Sequence, residues 1–385
     1  MSCLKQWGSK LAEGALDAPL LLVLAAPQSK RAMRWLWDIL KDDCEIDPTE
    51  CRVVHVIEDE PAGANMRPTK AQLAKEEARF RAEMEESDPR VIVPLGPDAF
   101  QAVMGKMEEN VGIEDARGYC ITRKLCGKTI VPVRTKMGTY ANSNKVKGIT
   151  KGDPKYKMVK TPIDPPLPLN YTGYIIPAYS QVQVQKSGFK LSFAFKTDLI
   201  RAGLAMRGQL VRHDEGFWYY TGFYDLGATA LYTAPLLAFD IETLGIGSDV
   251  VDRISFSDGK RTHTLPWNLQ TKRWVQEQFD YAAEHGILLV AHNSMFDIPR
   301  LKAAGIVFSD KCKFFDTMLA GVMLQPDLPK GLGRMAPLYL NIGPWKWRHL
   351  SSANPELYSA LDSFVTALLA IEQIAAMKEL EEMVA

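Results

Sequence analysis

The chain has 385 residues, 46% of them hydrophobic and 24% charged, with 46 Lys or Arg against 46 Asp or Glu. That length is too great for one ordinary core and predicts two domains, and the composition is that of a globular protein, which excludes a fibrous or low-complexity chain. Zero net charge predicts no polyanionic partner, so any such partner has to be sought in the local distribution of charge.

The opening stretch MSCLKQWGSKLAEG has no continuous apolar core of a signal peptide, and no run approaches the roughly 18 apolar residues of a membrane span. A cytoplasmic protein with no membrane contact is expected. Cys3, Cys44, Cys51, Cys120, Cys126 and Cys312 form no C-x-x-C pair, so reduced, mostly buried thiols are expected. A cluster built from Cys44, Cys51, Cys120 and Cys126 stays open.

Leu20 to Ala26 (LLLVLAA) reads as a buried strand closed by Pro27. Ser29 is placed to cap the next helix, in which Met33, Trp35, Leu36, Ile39 and Leu40 supply an apolar face. Strands follow at Arg52 to Ile57 and Val91 to Leu95, around a charged helix near Lys70 to Glu86; Gly96-Pro97 turns into a short helix over Asp98 to Met104. Strands alternating with helices predict βαβ units and a largely parallel sheet.

Between Arg117 and Lys160 there are twelve Lys or Arg against one acid, Asp153, with Tyr119, Tyr140 and Tyr156 interspersed. Such a run is either a solvated loop excursion or a phosphate-tracking surface whose aromatics stack on bases. Pro162 to Pro168 reads as extended and rigid, and Tyr174 to Pro177 as another strand. The aromatic tract His213 to Tyr232 reads as a junction, after which a second α/β pattern begins at Pro235. There Arg253 to Phe256 and His263 to Leu265 read as hairpin partners, Lys272 to Glu284 as a helix closed by Gly286, and Ile287 to Asn293 as a buried strand. The last thirty residues, from Pro355, are strongly helical.

LLAFDIETLG, Leu236 to Gly245, carries Asp240 and Glu242 at the end of an apolar run. On a strand, i and i+2 share a face, so two carboxylates point the same way, and a buried like-charge pair is costly unless a cation neutralises it. Asp297 follows the strand Ile287 to Asn293 at the start of a helix, and Tyr358 and Asp362 lie one turn apart on one helix face. Singly, these are as readily a solvated edge pair, a helix-terminal charge and a surface pair. Together, Asp240, Glu242, Asp297 and Asp362 could supply one pocket holding two divalent cations about 3.5–4 Å apart, Mg²⁺ or Mn²⁺ rather than zinc, with Tyr358 orienting an attacking water.

The order FDIET, HNSMFD, YSALD resembles the three motifs of the DEDD superfamily of 3′–5′ exonucleases, on the ribonuclease H-like fold. Tyr358 four before Asp362, with Leu357 where the other subgroup has His, is similar to the DEDDy subgroup. Phe314 to Pro326, the Gly-Leu after Lys330 and PWKWRHL extend the likeness to the proofreading domain of phage-type family A DNA polymerases, over about Pro235 to Ala385. The resemblance implies that Asp240, Glu242, Asp297 and Asp362 ligate metal and that Tyr358 positions water. It implies too that Thr243, Leu244, Asn293 and Phe296 line the cleft for the terminal nucleotide of a single-stranded DNA 3′ end. No polymerase domain follows, so the expectations are a stand-alone exonuclease, the separate proofreading partner of a polymerase encoded elsewhere, or a piece of a longer parent, in a host cytoplasm if phage-encoded. A ribonuclease D-like RNA exonuclease and a DNA-binding accessory subunit are the alternatives.

VIVPLGPDAFQAVMG and YIIPAYS (Tyr174 to Ser180) resemble, more faintly, motifs of the uracil-DNA glycosylase superfamily. Its first motif reads LAAPQ here and lacks the acid, and Ile176 stands where that family has His, so a glycosylase-like fold without glycosylase activity is expected. The predicted architecture is α/β with two domains. A glycosylase-like parallel-sheet α/β/α domain spans 1–210 with a basic insertion at 117–160, a junction spans 211–234, and a ribonuclease H-like exonuclease domain spans 235–385.

Overall fold

A computed structural model describes residues 14–59, 61, 67–105, 111–126, 129–136, 156–163, 171–222, 232–245 and 247–384, with backbone alone for 129–136, 156–163, 348–349 and 384. The chain divides into two compact units, Met1–Leu210 and Val211–Ala385.

In the first unit, β1 (Leu20–Leu24), β2 (Cys51–His55) and β3 (Val91–Leu95) are buried along their whole length, and the unbroken apolar runs of β1 and β3 are those of a parallel sheet covered on both faces. Strands β4 (Thr129–Lys136) and β5 (Tyr156–Ile163) pair antiparallel to each other. The short β6 (Tyr174–Ile175) joins the main sheet, whose order is β2-β1-β3-β6 with every pairing parallel. The helix Lys30–Asp38 starts where its cap predicts, the Ser29 side chain accepting from Ala32 N at 3.2 Å. The helix Lys70–Glu86 starts on a reciprocal Thr69/Gln72 capping box.

The structure corrects the reading of the basic run at its start. Arg117 is buried and makes a bidentate pair with the buried Asp198, Nε to Oδ2 and Nη2 to Oδ1 both at 2.9 Å, and Arg201 stands 3.5 Å from the same carboxylate. Tyr119 is 1% exposed and offers no ring for stacking. Residues 127–128, 137–155 and 164–170, with Tyr140 and most of the predicted rigid Pro-rich stretch, lie outside the described residues. Burial pushes the Cys44, Cys51 and Cys126 thiols up to about 12, and no metal-ligating group among the described residues includes a cysteine.

The second unit is built on β7 (Leu236–Thr243), β8 (Val251–Ser257), β9 (Thr262–Pro266), β10 (Leu288–Ala291) and β11 (Lys313–Asp316). Their order is β11-β10-β7-β8-β9, with β7, β8 and β9 an antiparallel meander and β10 parallel to both β7 and β11. The sheet is therefore mixed, and β7 is its centre. Helix Leu269–His285 joins β9 to β10 and ends on Gly286 at φ 68°, the left-handed cap its sequence predicts.

Alternation along β7 sends Leu237, Phe239 and Ile241 into one core with Phe256, Val275 and Phe279. Ala238 takes the opposite face and packs with Val290 against Ala367 and Ala370 of the helix Pro355–Val384. Small residues on both sides let this helix lie close to the sheet. By length and composition the helix also satisfies the requirement for a membrane span, contrary to the sequence reading: its most apolar 18-residue window has a mean hydropathy of 1.5. That window is 56% buried inside the fold, so packing accounts for much of its apolar character.

The tract read as a junction is packed into this unit. His213 N donates to Asn341 O at 2.9 Å, Tyr220 pairs in parallel with His263 on the free edge of β9, and Tyr232 is 1% exposed in the core. Residues 223–231 lie outside the described residues.

Candidate active site

Asp240 and Glu242 point to the same face of β7 as Ala238, the face that the helix Pro355–Val384 covers. That helix is held to the sheet by Ser255 Oγ of β8, which donates to Ser359 O at 2.8 Å, and it brings Asp362 to the strand pair. Carboxylate oxygens of Asp240, Glu242 and Asp362 all lie within 4.8 Å of one another, a group able to hold a metal ion.

Asp297 is not one of the three. It is buried in the first turn of the helix Ser294–Ala303 and accepts from Ile241 N at 3.1 Å, strapping the helix to the residue between the two strand acids. The turn before that helix needs Asn293 in the left-handed region, φ 70°, where Asn is tolerated better than most residues. Asp316 fixes it: its carboxylate accepts from Asn293 N at 3.1 Å, Ser294 N at 2.7 Å and Ser294 Oγ at 2.8 Å, and also caps the helix Thr317–Leu324 through Met318 N at 2.8 Å. Those hydrogen bonds hold the Asp316 carboxyl below its ordinary range against the opposing effect of burial.

The acids themselves are pushed the other way. Burial, then repulsion from Asp362, Asp297 and Glu242, raises Asp240 well above the usual carboxylate range. Burial and Asp362 raise Glu242 to about 7, and burial raises Asp297 to about 7 despite the Ile241 N–H bond. Asp240 Oδ2 is buried with no hydrogen-bond partner. An orphaned buried oxygen among crowded carboxylates fits a cation: it has a lone pair to give, and the repulsion falls when positive charge enters. Oxygen donors without His or Cys suit a hard ion such as Mg²⁺ or Mn²⁺.

Sequence reasoning assigned no role to Trp345 or Lys346, although both stand in PWKWRHL. Trp345 Nε1 donates to Asp362 Oδ1 at 2.6 Å. Lys346 Nζ donates to Asp362 Oδ2 and, at 2.9 Å, to the Tyr358 hydroxyl, with the Tyr358 ring centre 4.6 Å away. The one-turn spacing of Tyr358 and Asp362 is thus real, and one ammonium joins them. Burial and the charge of Asp362 raise the Tyr358 phenol above its ordinary value, so it stays protonated at neutral pH. A cation wedged between two buried tryptophans was the available signal; its target was not readable without the fold.

Of the residues expected to line a cleft, Leu244 is 67% and Phe296 37% exposed. Arg300 stacks on the Phe296 ring, 3.7 Å from its centre, and pairs with Asp249 Oδ1 at 2.8 Å. Thr243 Oγ1 donates to Gly245 O at 3.2 Å, and Asn293 is engaged through its backbone as above. A separate cavity of about 740 Å³ opens in the first unit, lined by Asp17, Glu50, Arg90, Tyr171 and Arg207 among others. Its Pro19 and Arg90 precede β1 and β3, the opposite end from the one at which parallel sheets bind ligands.

Among solved structures the chain is similar to Brucella melitensis NrnC bound to pGG, with 20% identity and a TM-score of 0.31 over 38% of this chain and 76% of that one. It is similar also to the Aedes aegypti Nibbler EXO domain, with 15% identity and a TM-score of 0.28 over 38% of this chain and 81% of that one. No family model and no curated protein matches the chain.

Proposed function

We propose that the second unit is a metal-dependent 3′–5′ exonuclease of the DEDDy kind on a ribonuclease H-like fold, trimming single-stranded or frayed 3′ ends of DNA and releasing nucleoside monophosphates. The observation that carries this reading is the convergence of Asp240, Glu242 and Asp362 around the unpartnered Asp240 Oδ2, with the Tyr358 hydroxyl bonded to the same lysine as Asp362. Asp240, Glu242 and Asp362 would hold the metal, and Asp297 sets β7 in place while adding negative charge. A divalent cation bound there supplies Lewis-acid stabilisation of a phosphodiester and acidifies water; two such ions is the number the motif resemblance implies.

The chain's own groups do the rest. Tyr358 orients the attacking water through its hydroxyl, which Lys346 fixes in direction. Leu244 and the Arg300-backed ring of Phe296 offer apolar surface to the terminal base, and Thr243 and Asn293 offer polar contacts. The 3′–5′ direction, the preference for DNA, a role in proofreading and a separately encoded polymerase partner rest on the resemblance of the three motifs. In the same reading the first unit is a glycosylase-like module that holds DNA without excising bases.

The test is digestion of matched 3′-labelled DNA and RNA single strands in Mg²⁺ or Mn²⁺. Stepwise release of mononucleotides from the 3′ end of DNA is expected, and its loss in Asp240→Ala plus Glu242→Ala. No degradation in either metal, or full activity in the double variant, would overturn the reading. Faster digestion of RNA would favour the ribonuclease D-like alternative, because 2′-hydroxyl contacts and not the acids discriminate the two.

A further inference from the structure

The loop that delivers Lys346 is pinned on both sides. Asn341 exchanges two hydrogen bonds with His213, N to Nδ1 and O from N, each at 2.9 Å, and Gly343 N donates to Asp214 Oδ2 at 3.0 Å. Trp345 and Trp347 flanking the lysine are buried, and Trp345 Nε1 holds Asp362 Oδ1 at 2.6 Å. The ammonium is thereby presented to Asp362 Oδ2, with Tyr358 Oη at 2.9 Å as its second partner.

Both oxygens of Asp362 are thus engaged, one by an indole N–H and one by a cation, whereas Asp240 Oδ2 in the same cluster has no partner. A carboxylate oxygen retains a second lone pair, but an ammonium and a divalent cation on one carboxylate repel each other strongly where water is scarce. Metal-free, the three acids repel one another, and a positive charge beside them relieves that repulsion. Lys346 is placed to supply it.

We propose that Lys346 is the resident counter-cation of the metal-free site and competes with the divalent ion for Asp362. Metal loading moves the ammonium off Asp362 Oδ2, while its contact with the Tyr358 hydroxyl persists. The device holds the acids in place before loading, makes metal affinity weaker than the acids alone would give, and couples occupancy to the group that holds Tyr358. It rests on the metal-binding reading of the acids given above.

The experiment is calorimetric titration of the metal-free full chain with Mn²⁺, for wild type, Lys346→Met, Lys346→Arg and Asp240→Asn, with melting curves of each in chelator and in saturating Mn²⁺. Lys346→Met is expected to bind Mn²⁺ about tenfold tighter, the scale of one partly screened charge pair, and to melt lower than wild type in chelator. In saturating Mn²⁺ that deficit should largely close. Lys346→Arg, which keeps the charge, should bind as wild type does. Should Lys346→Met not fold without metal, Lys346→Gln takes its place in the same comparison. Affinity in the neutral variant equal to or weaker than wild type overturns the proposal. If wild type itself binds no Mn²⁺, or Asp240→Asn binds as well as wild type, it is the metal-centre reading that falls.

Discussion

Asp240 concentrates the electrostatic cost of the site: it is half-buried, surrounded by Asp362, Asp297 and Glu242, and its buried Oδ2 lacks a hydrogen bond. A carboxyl whose folded pKa is raised contributes stability that is fully present below its unfolded value and is lost as pH rises through the folded one. For Glu242 and Asp297 that window runs from the ordinary 4.5 and 3.8 up to about 7. In chelator, the melting temperature should therefore fall between about pH 5 and 7.5, and fall less in Glu242→Gln. A melting temperature that is flat or rising across this window in wild type would contradict the crowding. Asp316, held below its usual value, titrates at lower pH and does not mask the effect. Tyr358→Phe removes the hydroxyl and leaves the acids, so kcat should drop by about a hundredfold, the scale of losing a group that positions a reactant. Mn²⁺ affinity measured on the same sample should change little.

At the scale of elements, the site depends on how closely the helix Pro355–Val384 approaches β7. Ala238 meets Ala367 and Ala370 there. Ala238→Leu would overpack this contact at a cost of about 1–3 kcal/mol in urea unfolding. It should also weaken Mn²⁺ binding, because the helix that carries Asp362 is pushed away from the strand that carries Asp240. Retention of wild-type metal affinity in a destabilised Ala238→Leu protein would separate the site from this packing. In the first unit, Arg117→Met leaves the buried Asp198 with Arg201 alone and should cost about 3–5 kcal/mol, the penalty for stranding one partner of a buried pair. Much of this level was legible in the sequence. The Ser29 cap, the Gly286 stop and the apolar runs of β1 and β3 act within a few residues, and the structure places them where those local rules do.

For the whole molecule, balanced charge hides a local excess between Arg117 and Lys160. Arg117 is committed to an interior pair, so a deletion beginning there would damage the fold and say nothing about binding. Changing Lys145, Lys147, Lys151 and Lys155 to Gln is the cleaner probe. If these side chains contact phosphates, single-stranded DNA should bind more weakly and the slope of log affinity against log salt should shrink by about 0.7 per lost contact. An unchanged slope would assign the run to solvent. Sequence alone determined the alternation that puts Asp240 and Glu242 on one face of β7 and the one-turn spacing of Tyr358 and Asp362, since each depends on the geometry of a single element. Only the tertiary structure decided which acids meet. It brought Asp362 to the strand pair, used Asp297 as a strap to Ile241, set Lys346 against Asp362 and turned Tyr119 inward. The physical reason is that spacing fixes where a side chain points relative to its own helix or strand, whereas convergence depends on sheet order and on how near two elements can pack.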